Sequence, residues 1–411
     1  MIQRLIRPTI VNALSEARVV CLLGPRQAGK TTLVQSIAED EYPAHYVSLD
    51  DPAVLERALD DPTGFVAGPD RMVIDEVQRA PELLLAIKRV VDSNNDRGQF
   101  LLTGSANILT HPRVADALPG RVDYLTLWPF SQRELSGAPG RFLENALAGR
   151  APEVTKAPTG RAGYAERVVR GGFPEILQSG EPGRGRFFSG YVDSILGREV
   201  PELAAVRNAR TAARVLRLAA ARSAALTNFS LMGRELGIDH KTVAAHLGIL
   251  EQLFLVVQLP AWHANLGHRI VRTPKLHVGD TGMLCSLLGA DVARIEDDGA
   301  IAGSVFESFA VNEVIRLVST SDIGHQLRVH HYRDRRGHEV DLVIEHANGD
   351  IVGIEVKASA TPRRRDLAGL TVLRDALGDR FRLGLVLHLG ERSTRLGDRI
   401  HAVPLASLWS G

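Results

Sequence analysis

The sequence predicts an α/β protein with more than one domain, and three observations carry that reading. A glycine loop, Gly24-Pro25-Arg26-Gln27-Ala28-Gly29-Lys30-Thr31-Thr32, lies between an apolar run of strand type and the first turns of an amphipathic helix. Apolar runs that end in acids or small polar residues then alternate with helical patterns, which is the signature of a parallel sheet with crossovers. A second group of strands, each carrying one or two charged residues, follows a helical middle region. At 411 residues the chain is too long for one ordinary core.

The first strand is Arg18 to Leu23, and the helix after the loop begins at Thr32. A strand, a glycine loop and a helix N-terminus make a phosphate cradle, because successive backbone N–H groups and the positive end of the helix dipole point at one anion. Residues Gly24 to Thr32 would enclose the phosphates of a nucleotide such as ATP. Lys30 would reach the β- and γ-phosphates, and the Thr31 hydroxyl would sit on Mg²⁺. Tyr46 to Asp50 reads as a second strand. Arg71-Met72-Val73-Ile74-Asp75-Glu76 is a third, ending in the acidic pair of a Walker B motif. There Asp75 would hold Mg²⁺ through water, and Glu76 would polarise the attacking water as general base. Gln99 to Asn107 is another strand ending in small polar residues, of which Ser105 or Asn107 would sense the γ-phosphate. Arg121 precedes a further strand, where it is either an arginine finger acting on a neighbouring subunit or a surface arginine.

The ordered set GPRQAGKTTL, VIDEVQ, LLTGSAN and LPGRVDYLTLWPFSQREL resembles the bacterial and archaeal AAA-type (AAA_14) ATPases that carry a C-terminal domain of unknown function, DUF4143. The resemblance covers nearly the whole chain. It implies an AAA+-like P-loop core with an ATPase cycle over residues 1–135, and it leaves the task of that cycle open.

Residues 136–222 read as a Gly-, Ala- and Pro-rich linker followed by an α-helical lid. Residues 223–275 read as a winged helix-turn-helix. A short helix closes on Gly237, Asp239 caps a second helix beginning at His240, and two strand-like segments follow. Lys241, Thr242 and His246 would face a DNA groove, or the unit would pack on protein.

Residues 276–411 carry acids in a fixed order. Glu307 lies on an amphipathic helix, Asp341 in an apolar strand, and Glu355 with Lys357 in a Glu-x-Lys strand whose period-two alternation puts both on one face. Asp341 and Glu355 would bind a metal with Glu307 in support, and Lys357 would position or activate water for phosphodiester cleavage. The pattern is similar to that of PD-(D/E)xK nucleases, including archaeal Holliday junction resolvases, although Val340 stands where those enzymes usually have proline. Arg333, Arg335 and Arg336 before the set, and Arg363, Arg364 and Arg365 after it, would contact a DNA backbone.

A formal net charge of +1 excludes binding to nucleic acid by bulk charge, so such binding must come from local patches. Cys21 and Cys285 are the two cysteines, both in apolar surroundings and far apart, which predicts reduced buried thiols. The opening residues lack the pattern of a secretory leader, and no run has the length of a membrane span. A cytoplasmic protein is expected. Its expected partners are DNA, branched or duplex, and further copies of itself in an oligomer, hexamers among them. The leading functional expectation is an ATPase acting on branched DNA in recombination or repair, with Mg²⁺-dependent nuclease activity left open. The alternative is a nucleotide-dependent protein-binding switch whose acids are idle.

Overall fold

The computed structural model describes residues 2–105, 120–138, 140–152, 154, 160–203, 209–264 and 273–411, with the side chains of Glu202, Leu203 and Arg364 left aside. The chain folds as two compact units. The first is Met1–Phe130 with Gln252–Phe254 and Ser319–Asp322; the second holds the remaining residues.

The first unit is built on five parallel strands: β1 Val19–Leu23, β2 His45–Ser48, β3 Met72–Asp75, β4 Phe100–Gly104 and β5 Val122–Thr126. Their order across the sheet is β2-β3-β4-β1-β5. The sequence of β1, Val-Val-Cys-Leu-Leu, is apolar at every position because both faces are covered. Val19, Cys21 and Leu23 join Ile74 and Leu102 against the helix Leu83–Ser93. Val20 and Leu22 join Val73 and Leu101 on the opposite face, against the helices Arg7–Glu16 and Lys30–Asp40. Strand alternation thus divides one run of residues between two cores. Cys21 is buried and free, as expected.

The second unit opens with helices, including Gly160–Arg170, Glu181–Leu203 and Ala209–Ala221. A helix-turn-helix follows. Asn228 caps Phe229–Leu236 by accepting from Leu231 N–H, and Gly237 ends that helix at φ +67°. Asp239 accepts from Lys241 N–H at 2.8 Å and so caps His240–Gln252. Strands β6 Ala225–Leu226, β7 Val256–Leu259 and β8 Lys275–Val278 form an antiparallel sheet in the order β6-β8-β7. This is the winged-helix arrangement. The expected second wing strand, Arg269 to Lys275, lies mostly outside the described residues, and β8 begins at its last residue.

The rest of the second unit is a mixed sheet. It consists of β9 Leu327–Arg333, β10 Glu339–His346, β11 Ile351–Lys357, β12 Phe381–His388, β13 Thr394–Gly397 and β14 Ile400–Pro404, in the order β13-β14-β12-β11-β10-β9. The β9–β10–β11 meander is antiparallel, whereas β11–β12 and β12–β14 are parallel. The long helix Gly299–Ser319 is mostly buried, with Phe306, Phe309, Val311 and Val314 among its interior residues. Several of its polar side chains are paired internally. Ser308 Oγ meets His277 Nδ1 of β8 at 3.1 Å and Ser223 Oγ at 2.9 Å. Arg316 donates to Glu313 at 2.9 Å and to Asp280 at 3.1 Å. Asp280 in turn accepts from Gly172 N–H at 2.9 Å. At Gly171 a Cβ would lie 2.3 Å from the Asp280 carboxylate, and the backbone there has φ +71°; glycine at 171 is therefore needed for this approach.

His277 is fully buried, and its Nε2 meets no partner among the described residues. Burial, aided by the Lys275 charge, holds its imidazole down at about 3, against 6.5 for a free histidine. Between those values the unfolded chain binds the proton and the folded one does not. Stability from this residue is complete above pH 6.5 and is lost as the pH falls below it, by roughly 1.4 kcal/mol per pH unit. Denaturant unfolding between pH 7 and pH 5 should show this slope, and His277→Asn should flatten it. An unchanged slope in the variant would assign the acid sensitivity elsewhere.

Candidate functional site: the phosphate loop and a buried carboxylate cluster

The phosphate loop leaves β1 and enters the Lys30–Asp40 helix through backbone conformations that few residues adopt. Gly24 has φ +152°, Gln27 +58° and Gly29 +97°. At Gly24 a Cβ would lie 2.1 Å from the Leu127 carbonyl oxygen, so only glycine lets the loop pass β5. Gln27 carries a side chain in the left-handed region, which is stored strain of the kind found at ligand clamps. Lys30 is buried and donates to Gly24 O at 2.9 Å and Pro25 O at 3.0 Å, which folds its ammonium over the loop. Ala28 is buried under the loop, Thr32 is on the helix, and Arg26 and Pro25 complete the turn.

Asp75 ends β3 and is 2% exposed. One of its oxygens accepts from Thr31 Oγ1 at 2.8 Å and from the Tyr46 hydroxyl at 3.2 Å; the other accepts from the Thr103 hydroxyl. The expected metal-holding pair, Thr31 and Asp75, is therefore adjacent. Its all-oxygen donors suit a hard cation such as Mg²⁺. Burial, with the Asp75 charge, pushes the Tyr46 phenol up to about 12 and keeps it a donor.

Glu76, at φ +59°, turns off the end of β3, and its N–H donates to Thr103 Oγ1 at 3.0 Å. Gln78 Nε2 donates to the Glu76 carboxylate and, at 2.9 Å, to Ser105 Oγ. The general-base candidate and the sensor candidate Ser105 are thus joined by one amide. Asn107, the other sensor candidate, lies outside the described residues. Tyr46, Gln78 and Thr103 were not singled out in the sequence, although Gln78 and Thr103 stand inside its motif strings. Arg121 is bonded through its guanidinium to Asp92 of the same chain, with Nη2 to Oδ2 at 3.1 Å. That pair gives the arginine a partner of its own.

The second expected site comes together in the second unit. A bulge lies between Val340 and Val343 of β10 and carries Asp341. Bulges of this kind re-aim side chains beside functional sites. The Lys357 ammonium donates to Glu355 at 2.6 Å, as the shared strand face predicts. Glu307, Asp341, Glu355 and Lys357 line one cavity of about 480 Å³, together with Arg363 and Arg365.

A lysine that the sequence did not single out lies among these acids. Lys275 opens β8, is 4% exposed, and donates to Glu307 at 2.8 Å and to Asp341 at 3.0 Å. The other Asp341 oxygen accepts from Val356 N–H at 2.9 Å. Among the described residues no three acidic, histidine or cysteine side chains converge as a metal would need. The expected metal ligand Asp341 and its expected support Glu307 are thus bridged by the Lys275 ammonium, and the other expected ligand, Glu355, is paired with Lys357. Burial opposes the Lys275 charge, but Asp341 and Glu307 outweigh it and hold the ammonium above its usual range. Burial and repulsion from Asp341 push the Glu307 and Glu355 carboxyls up, each to about 8. Three acids here share two lysines, so excess negative charge is relieved by protons.

Of the helix-turn-helix candidates, Lys241 is exposed and Thr242 partly so. His246 does not face a groove: it is 1% exposed, with Nδ1 at 2.7 Å from Thr242 O, because it sits on the packed side of its helix. Arg333 is exposed and paired with Glu339, while Arg335 and Arg336 are exposed in the β9–β10 turn. The Arg364 side chain lies outside the described ones.

Residues 16–136 match the family described as AAA domain. Residues 161–294 match a domain of unknown function, DUF8612, and residues 302–408 match another, DUF4143. The chain is 29% identical over 399 residues to Uncharacterized protein Rv2008c of Mycobacterium tuberculosis and equally to Uncharacterized protein Mb2031c of Mycobacterium bovis, covering 95% of this chain and 81% of each. Among solved structures it is similar to the Walker-type ATPase PABY2304 of Pyrococcus abyssi, at 15% identity and TM-score 0.41, over 70% of this chain and 96% of that one. It is also similar to the Thermotoga maritima RuvB Holliday junction branch migration motor, at 20% identity and TM-score 0.28, over 62% and 89%. Among the described residues no helix is long and apolar enough to cross a membrane.

Gly24→Ala tests the loop geometry. The added Cβ should force the loop off Leu127 and weaken ATP binding at least about tenfold, an energy on the order of 1–3 kcal/mol. Titration with a fluorescent ATP analogue measures it, and native affinity would show the close approach to be dispensable.

Proposed function

We propose that this protein, an AAA-type P-loop ATPase with a C-terminal DUF4143 domain, uses ATP hydrolysis to drive or gate the engagement of DNA by its second unit. In the nucleotide site Lys30 would neutralise the β- and γ-phosphates, and Thr31 and Asp75 would hold Mg²⁺. That ion would draw charge from the transferring phosphoryl group. Glu76 would orient and polarise the attacking water. The Gln78 bridge from Glu76 to Ser105, at 2.9 Å on the serine side, would report the γ-phosphate to the base.

The observation that carries the DNA reading is the pair Arg363 and Arg365 on the lining of the cavity, which also holds Lys357 paired with Glu355 and the acids Glu307, Glu339, Asp341 and Asp366. With the sequence close to neutral overall, this local cluster supplies the positive charge that a phosphodiester backbone needs. Lys241 and Thr242 would add contacts from the helix-turn-helix, and Arg335 and Arg336 from the β9–β10 turn. Branched DNA such as a Holliday junction is the substrate we favour, in recombination or repair. Oligomers would be the working form, with Arg121 leaving Asp92 to complete a neighbour's site. A second reading is a nucleotide-dependent switch that binds protein. The burial of His246 favours it, since one of three expected groove contacts is turned inward.

Glu76→Gln should bind ATP with native affinity and turn it over at least about 100-fold more slowly; native turnover would remove Glu76 as the base. For the task, ATPase rates should be compared without DNA and with duplex, single strand and a four-way junction. Junction-selective stimulation, lost in Arg363→Glu/Arg365→Glu, is expected. Indifference to every DNA would move the assignment to the protein-binding switch.

A further inference from the structure

The acids Glu307, Asp341 and Glu355 come from a helix and two strands, which is a costly set of charges to assemble in the interior unless something positive joins them. Two candidates could supply that charge, a divalent cation or a side chain. Lys275 already stands between two of the three. It reaches Glu307 Oε1 at 2.8 Å and Asp341 Oδ1 at 3.0 Å from β8, a strand of the winged-helix sheet. Both Asp341 oxygens are engaged, Oδ1 by the ammonium and Oδ2 by Val356 N–H. A divalent cation bridging Glu307 and Asp341 would have to take the place the ammonium fills, since one oxygen of each faces that ammonium. A second cation beside that ammonium would also meet strong repulsion in a buried site.

We infer that the Lys275 ammonium takes the place of a divalent cation in this carboxylate cluster, so that the second unit binds its ligand without a metal and does not cut it. An ammonium balances charge, but it has no vacant orbital to coordinate a phosphoryl oxygen and it does not generate hydroxide from bound water, the two services a metal gives to phosphodiester hydrolysis. Of the cavity's other basic side chains, Lys357 is paired with Glu355, and Arg363 and Arg365 line it together with the acids Glu339 and Asp366. Glu355 retains one buried carboxylate oxygen with no partner among the described residues, next to the Lys357 pair. This inference does not depend on DNA being the ligand.

The test is Mn²⁺ binding to the full chain without nucleotide, read by the electron paramagnetic resonance of free Mn²⁺. Wild type and Asp341→Asn should bind the same amount. Lys275→Ala should gain one Mn²⁺ per chain, and Lys275→Ala/Asp341→Asn should lose it again. Any Mn²⁺ bound at the phosphate loop is common to all four proteins and cancels. If wild type loses one bound Mn²⁺ on Asp341→Asn, or cleaves any DNA with Mn²⁺ in an Asp341-dependent way, the inference fails. A folded Lys275→Ala that gains nothing also counts against it. Should Lys275→Ala not fold, the comparison of wild type with Asp341→Asn and with Glu307→Gln still decides.

Discussion

Buried carboxylates must be neutralised where they stand, and the second unit is arranged around two cations that do this. Arg316 holds Glu313 at 2.9 Å and Asp280 at 3.1 Å, all three nearly inaccessible. Glu313 also accepts from Gln132 N–H at 2.7 Å, and Asp280 from Gly172 N–H. One guanidinium therefore ties the start of the helical region, the Gly-Gly turn and the long helix Gly299–Ser319 to a single point. Lys275 does the same for Glu307 on that helix and Asp341 on β10. Such pairs are weak evidence for net stability, because a well-packed apolar replacement can do as well. Removal of one partner, however, leaves a bare charge and costs about 3–5 kcal/mol. Their effect is on arrangement: each acid has one place where its charge is matched.

The two candidate sites use oppositely directed electrostatics. In the first unit, charge is held in reserve for a ligand: Lys30 is folded on carbonyls of its own loop, and Thr31 and Asp75 are paired with one another. Lys30 and Thr31 stand at the N-terminus of the Lys30–Asp40 helix, where backbone amides favour an anion. In the second unit Glu307 and Asp341 share the Lys275 ammonium, and Arg363 and Arg365 lie along the wall of the cavity with Glu339 and Asp366. The same three elements, a helix acid, a strand acid and Glu-x-Lys, would mean metal chemistry or its absence according to one side chain from another sheet.

Much of the architecture was legible in the chain. The loop from Gly24 to Thr32 works through consecutive φ/ψ angles, and glycines at its two ends announce those angles. The capped helix pair between Asn228 and Gln252 was readable for the same reason, since caps act over two or three residues. Period-two alternation placed Glu355 and Lys357 together, and their 2.6 Å bond follows from it. His246 was misread because helical spacing puts residues on a face without saying which face is packed.

The chain by itself determined the parallel sheet, the phosphate cradle, the acid at the end of β3 and the order of acids in the second unit. Each of these is written in contiguous residues, where backbone geometry and burial leave a periodic trace. Tertiary structure alone decided that Gln78 links Glu76 to Ser105, that Glu313 meets Gln132, and that Lys275 joins Glu307 to Asp341. Lys275 and Asp341 lie 66 residues apart, and Gln132 and Glu313 lie 181 apart. Such contacts depend on how separate strands and helices are registered against one another, and a charge in a strand gives no sign of which distant charge it will be buried against.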